Sequence, residues 1–169
     1  MIRLRALTEQ DIPLLDADAD PLIEGEFNDF GPIKDPAAMQ RVARMGVTAG
    51  SPEGYLVVEI DGQVAGSVSW HTVSYGPNLE SRCPNIGIAL RPEWRGMGHG
   101  AVAQRMLADY LLAASGLHRI EASTDVENIA EQKALERAGF TREGVLRGAQ
   151  WRQNGWHDLV GYARLRTDR

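Results

Sequence analysis

Residues 95–101 read RGMGHGA, with Gly96, Gly98 and Gly100 alternating directly after Arg95. Glycine lets a backbone approach a ligand closely and adopt positive φ. The segment from Val102 to Leu112 is apolar at helical spacing, so the run stands where a helix begins. A helix N-terminus leaves N–H groups unpaired and carries partial positive charge. Together these features form a seat for phosphate oxygens, and the chain is expected to bind a phosphate-bearing cofactor. The simpler alternative is a loop shaped only for chain reversal, although a plain turn rarely alternates three glycines.

Two nucleotide-binding patterns can be compared with this run. A Walker A loop needs Lys and then Ser or Thr after its last glycine, and Ala101-Val102 stand there instead. Gly96-x-Gly98-x-x-Ala101 does match a dinucleotide fingerprint, with Glu121 at about the twenty-residue distance of a ribose-binding acid. Against it, Arg91 to Arg95 separate the preceding strand from the first glycine, where the fingerprint requires an immediate turn.

The elements that must hold this loop follow from periodicity. Residues 2–6 alternate as a strand, and Thr8 with Asp11 signals a short helix reaching about Asp16. Asp35-Pro36 starts a second helix that runs to Thr48. Tyr55 to Ile60 and Gln63 to Val73 form a hairpin around Asp61-Gly62, and Tyr75 to Pro84 is a loop. Asn85 to Leu90 is a buried strand, Met97 to Ser115 the longest helix with Gly116 as its cap, and Arg119 to Ser123 a strand. Asn128 stands before a helix over Ile129 to Ala138, capped by Gly139. Phe140 to Leu146 and Trp156 to Leu165 are the last strands, joined around Asn154-Gly155. The order β-α-α-β-β-β-α-β-α-β-β predicts an α/β fold with helices packed on a mixed sheet. Residues 1–169 read as a single domain.

Composition narrows the partners. Hydrophobic residues are 43%, charged residues 24%, and the net charge of −5 offers no broad basic field for nucleic acid. One cysteine, Cys83, excludes an internal disulfide and suits a reducing cytosol; it reads as a small loop residue. The four histidines, at 71, 99, 118 and 157, lack metal-ligand spacing, so no metal is expected. The N-terminus has no apolar core of a signal peptide and no run is long enough to span a bilayer. A cytoplasmic protein without membrane partners is expected.

The spacing Arg95-x-x-Gly98-x-Gly100 resembles the Q/R-x-x-G-x-G/A signature of the GNAT acetyltransferase superfamily, which binds coenzyme A. The segment Ile86 to Ala101, IGIALRPEWRGMGHGA, is similar to that family's strand, pyrophosphate loop and helix. DVENIAEQKALERAGF, from Asp125 to Phe140, resembles its second motif, in which Asn precedes a helix ending in Gly-Phe. The tail GWHDLVGYARL resembles the RimJ/RimL-like branch. The resemblance implies acetyl-CoA as cosubstrate and a sheet that splays beside the strand Asn85 to Leu90. The pyrophosphate would lie on the amides of Gly96, Met97, Gly98, His99, Gly100 and Ala101, with Arg95 adding charge. Ile88, Ala89 and Leu90 would border the pantetheine arm, and Asn128 would bond that arm or a water near the sulfur, besides capping its helix.

In such a transfer a neutral amine attacks the thioester directly, a backbone N–H polarises the carbonyl, and a general base takes the amine proton. Glu80 and His71 are the candidates for that base; the plainer readings are a solvated loop carboxylate and a structural histidine. Some relatives begin the central strand with Glu as base, where this chain has Asn85. The family often carries Ser three residues after the Asn, assisting the departing thiolate. Glu131 stands there in this chain, with solvent exposure or a helix-dipole role as its plain reading. The acidic stretch Asp16 to Asp29, with six carboxylates and no basic residue, would attract a protonated amine if it is not simply a solvated face. The expected activity is acetyl transfer to a protein N-terminus or a small cationic amine. The alternatives are a longer acyl-CoA as donor and a non-catalytic acetyl-CoA sensor. The resemblance also allows a homodimer.

Overall fold

Alternating side chains at Val57 and Val58 divide the interior of this protein. Val58 joins the larger core with Trp70, Ile86 and, from the longest helix, Leu107 and Leu111. Val57 points to the other side and packs with Leu7, Leu15 and Val42. A sheet thus carries helices on both faces. The computed structural model describes residues 1–16, 25–28, 30 and 37–168.

The elements follow the predicted order: β1 (Ile2–Ala6), α1 (Ile12–Leu15), α2 (Ala37–Met45), β2 (Glu53–Ile60), β3 (Gln63–Ser74), β4 (Arg82–Leu90), α3 (His99–Ser115), β5 (Arg119–Asp125), α4 (Ile129–Arg137), β6 (Thr141–Arg152) and β7 (Gly155–Leu165). The sheet order is β1-β2-β3-β4-β5-β7-β6. Every neighbouring pair is antiparallel except β4 and β5. That parallel pair is registered only at Asn85↔Glu121 and Ile86↔Ala122. β4 continues to Leu90 against β3, and β5 continues to Asp125 against β7. The two strands therefore diverge after Ile86, and among the described residues β4 from Gly87 to Leu90 has no strand partner on that side.

Several boundaries differ from the periodic reading, each for a local reason. Asp35-Pro36, the expected start of α2, lies outside the described residues, and α2 ends at Met45 rather than Thr48 because Gly46 takes φ +72°. β4 begins at Arg82, inside the expected loop, so Cys83 is a buried strand residue. Pro84 fits there because pairing with β5 starts only at Asn85, leaving no ladder bond to lose on that side. β6 runs to Arg152, well past Leu146. A bulge between Leu146 and Gln150 breaks its alternation, with Gly148 at φ +56° and its N–H donating to Asp158 Oδ1 at 2.6 Å.

Two tight contacts fix β3. A Cβ on Gly66 would stand 2.1 Å from the carbonyl oxygen of Ala89, so β3 and β4 approach there as only glycine allows. Trp70, 2% exposed, donates its indole N–H to Ser51 O at 3.0 Å.

Candidate active site

The divergence of β4 from β5 opens a cavity of about 510 Å³. Ile88, Ala89 and Leu90 supply the β4 side. Gly96, Gly98, Gly100 and Ala101 supply the loop and the first turn of α3. Asn128, Ala130, Glu131, Lys133, Ala134 and Arg137 line it from α4, and Gly25 to Asn28 from the segment before α2.

The loop is built as the sequence requires. Gly96 and Gly98 take φ +75° and +82°, and no neighbouring atom lies within 4 Å of where their Cβ would be. The bare backbone before α3 therefore faces open space rather than packed protein, which fits an anionic group bound at close range. Gly98 is the N-cap of α3 and offers no side-chain cap, so the first-turn amides have no protein side chain bonded to them through that residue. Arg95 Nε donates to Leu90 O at 2.7 Å, tying the loop to the end of β4. Met97, 55% exposed, and His99 contribute nothing to the cavity wall; His99 stacks edge-on against Trp94 at 6.0 Å.

Asn128 is both a cap and a wall residue. Its Oδ1 accepts from the Glu131 N–H at 3.2 Å, and its Nδ2 donates to Thr124 Oγ1 at 3.1 Å. Glu131 is partly buried and faces the cavity rather than the outer surface. Burial pushes its carboxyl up to about 7, and only Gln104 opposes that shift. Gln104, on α3, is 1% exposed, and the hydrogen bond between its side chain and Glu131 is what opposes the shift.

The structure does not bring Glu80 or His71 to this cavity. Glu80 is exposed in a 3-10 turn over Leu79–Ser81. His71 is exposed on β3, opposite Asn85, while its neighbour Trp70 turns inward, as strand alternation requires. Glu121 is equally committed elsewhere, since it accepts from Arg119 Nε at 2.6 Å and from Tyr75 Oη at 2.9 Å. It lines no part of the cavity, which removes the ribose-binding role of the dinucleotide reading. The Cys83 thiol is raised to about 11, chiefly by burial and then by the Glu121 carboxylate, the opposite of what a nucleophile needs. Of the acidic stretch, Asp16 and Glu26 are described, and Glu26 lines the cavity; Asp18, Asp20, Glu24 and Asp29 lie outside the described residues.

One cluster gave no signal in the sequence beyond the pair His157-Asp158. Arg152, 3% exposed, donates to Phe27 O at 2.8 Å and to Asp125 Oδ2. Its Nη2 is 3.1 Å from His157 Nδ1, and its guanidinium is 5.4 Å from the Phe27 ring centre. Gln153 Nε2 donates to Glu26 O at 3.2 Å. The β6–β7 hairpin thereby holds the 25–28 wall in place. His157 Nε2 also bonds Arg152 O at 3.1 Å, so His157 and Asp158 both fasten the hairpin.

Known proteins resemble this chain in sequence and in fold. The chain is similar to the probable N-acetyltransferase YjcK of Bacillus subtilis (strain 168), with 35% identity over 83 residues, 49% of this chain and 46% of that protein. The chain spans about half the length of the curated relatives it matches. Among solved structures, Mycobacterium smegmatis RimJ in complex with CoA-disulfide has a TM-score of 0.76 at 24% identity, over 98% of this chain and 82% of that one. Spermidine N-acetyltransferase from Vibrio cholerae, in complex with CoA and spermine, has a TM-score of 0.77 at 21% identity, over 99% and 96% of the two chains. At these identities the structural likeness establishes the fold. The model of the acetyltransferase (GNAT) domain matches residues 2–141, spanning the glycine loop, the splayed strand and Asn128, and the chain belongs to that family.

Proposed function

We propose that this chain transfers the acetyl group of acetyl-CoA to a primary amine, on a protein N-terminus or a small cationic molecule. The observation that carries this reading is the unpartnered edge of β4 from Gly87 to Leu90, opening into a cavity that ends at the Gly96–Gly98 backbone. Family membership and the CoA bound by the two structural neighbours support the choice of donor.

The chain's own groups divide the work. The amides at the start of α3 hold the diphosphate, with Arg95 of the loop and Lys133 and Arg137 of α4 lining the same cavity to offset its charge. The β4 edge from Gly87 to Leu90 pairs with the amide-bearing arm as a strand partner would, and one of its N–H groups polarises the thioester carbonyl. Bound acetyl-CoA supplies the activated acyl group, and direct attack by the amine needs no covalent enzyme intermediate. Glu26 places a carboxylate on the wall contributed by residues 25–28, which favours a cationic acceptor there.

Calorimetric titration with acetyl-CoA, followed by thiol release in the presence of polyamine, aminoglycoside and peptide acceptors, tests the reading. Saturable binding with amine-dependent thiol release is expected. Binding without thiol release above background would leave a sensor; no binding would overturn the proposal.

A further inference from the structure

The cofactor, held as above, takes the glycine loop, the β4 edge and the facing side of α4. Among the described residues, the cavity wall left for an acceptor is the segment 25–28, which carries Glu26 and Phe27 and belongs to no helix or strand. At its start, a Cβ on Gly25 would lie 3.5 Å from Nη1 of Arg95, whose Nε is tied to Leu90 at the end of β4. Further on, Phe27 meets Arg152, which is paired with Asp125 at the end of β5. The segment therefore crosses from the end of β4 to the end of β5, over the gap where those strands diverge.

Arg152 is the hub of this crossing. Its Nη1 donates to Phe27 O at 2.8 Å, its guanidinium lies 5.4 Å from the Phe27 ring centre, and its Nη2 donates to Asp125 Oδ2. Asp125 is itself a junction. Its Oδ1 accepts from the Glu127 N–H at 2.8 Å and its carbonyl oxygen from the Asn128 N–H at 3.0 Å, so it sets the entry to α4. One guanidinium thus joins two walls of the cavity, the segment 25–28 and the start of α4. His157 keeps it oriented. Arg152 O can only accept, so neutral His157 carries its hydrogen on Nε2, 3.1 Å away, and its Nδ1 is left to accept from Arg152 Nη2 at 3.1 Å.

We propose that Arg152 is a positioning residue for the acceptor amine. It fixes the gap between the segment 25–28 and the start of α4, and so sets how the acceptor is held against the thioester. This rests on the acetyltransferase reading. No bond is made or broken at Arg152, which is buried and paired. Its loss acts on the acceptor, while the glycine loop and the β4 edge keep the cofactor in place.

A purely structural role predicts that activity follows stability, and two variants separate the two. Asp125→Asn/Arg152→Met removes both buried charges, and asparagine keeps an oxygen for the Glu127 N–H. Phe27 O still lacks its donor. Gln153→Asn withdraws the exposed side chain that donates to Glu26 O, at a φ of +51° that asparagine tolerates, and leaves the buried pair untouched.

The test combines calorimetry with acetyl-CoA and steady-state thiol release with spermine, kanamycin and a peptide bearing a free α-amine, the probe being whichever of these wild type turns over. In Arg152→Met and in the double variant, the acceptor KM should rise about 10-fold or more, with kcat and acetyl-CoA affinity each changed less than about threefold. In Gln153→Asn the acceptor KM should rise about threefold. Wild-type acceptor KM in both the double variant and Gln153→Asn would overturn the assignment. An acceptor KM that recovers together with stability in the double variant would also overturn it, leaving a structural role. Loss of acetyl-CoA affinity as large as the rise in acceptor KM would overturn it too, placing the segment over the cofactor instead. Wild type that binds acetyl-CoA but releases thiol with none of the three amines would overturn the transfer reading, and this assignment with it.

Discussion

Replacing Arg152 by Met should expose how strongly the hairpin holds the cavity together. Arg152 and Asp125 have side chains 3% and 2% exposed, so neither charge is solvated. The substitution keeps most of the side-chain volume and removes the guanidinium. It leaves the buried Asp125 carboxylate with His157 Nδ1, 3.2 Å away, in place of the guanidinium, and the Phe27 carbonyl without the Arg152 donor. Breaking one side of such a pair costs about 3–5 kcal/mol, against a total stability of about 5–15 kcal/mol. For a chain of this length the melting temperature should fall by roughly 6–20 °C. Urea denaturation with an unchanged m-value measures the loss directly. The double variant Asp125→Asn/Arg152→Met, in which neither charge remains, should recover a large part of it. Hydrogen exchange at residues 25–28 should quicken in the single variant, because both anchors of that wall come from Arg152 and Gln153. A loss below about 1 kcal/mol, the range of an exposed pair, would refute the reasoning.

Other perturbations have equally definite outcomes. Gly98→Ala places a Cβ at φ +82° and should cost about 1–2 kcal/mol in backbone strain while weakening acetyl-CoA binding, as calorimetry would show. Gly66→Ala drives a Cβ into Ala89 O and must separate β3 from β4 or distort them; a destabilisation of about 3 kcal/mol or more in urea is expected, with loss of acetyl-CoA affinity because the β4 edge moves. Glu80→Gln and His71→Asn alter exposed groups away from the cavity wall, and steady-state kcat should stay within about twofold of wild type.

Elements with local signals were legible in the chain, and those set by distant partners were not. Asp61-Gly62 announces a hairpin because both residues take positive φ, and they do, at +49° and +82°. The glycine loop and Asn128 could be placed because each acts through its own backbone or the next turn of helix. Gly46 is a helix terminator that could have been read from its residue type. The length of β6 could not, since the bulge at 147–149 is stabilised by Asp158 from the opposite strand. Arg152 looked like one arginine among many; its burial depends on Phe27, 125 residues earlier. Glu131 shows the same limit at the site itself. At a helix start its residue type suggests a favourable dipole contact, and only packing against α3 reveals a carboxyl withdrawn from water.

β7 is an interior strand of the sheet. β7 sits between β5 and β6, and seven of its residues register with β5, which has only two registered partners in β4. While the chain is being synthesised, everything through α3 can assemble, including the glycine turn, before β5 has a second neighbour to lie against. Asp125 gains its guanidinium, and residues 25–28 their anchor, only once β6 and β7 have joined the sheet. Such long-range pairing slows folding, and a nascent molecule would carry half a binding crevice until β6 and β7 had been made.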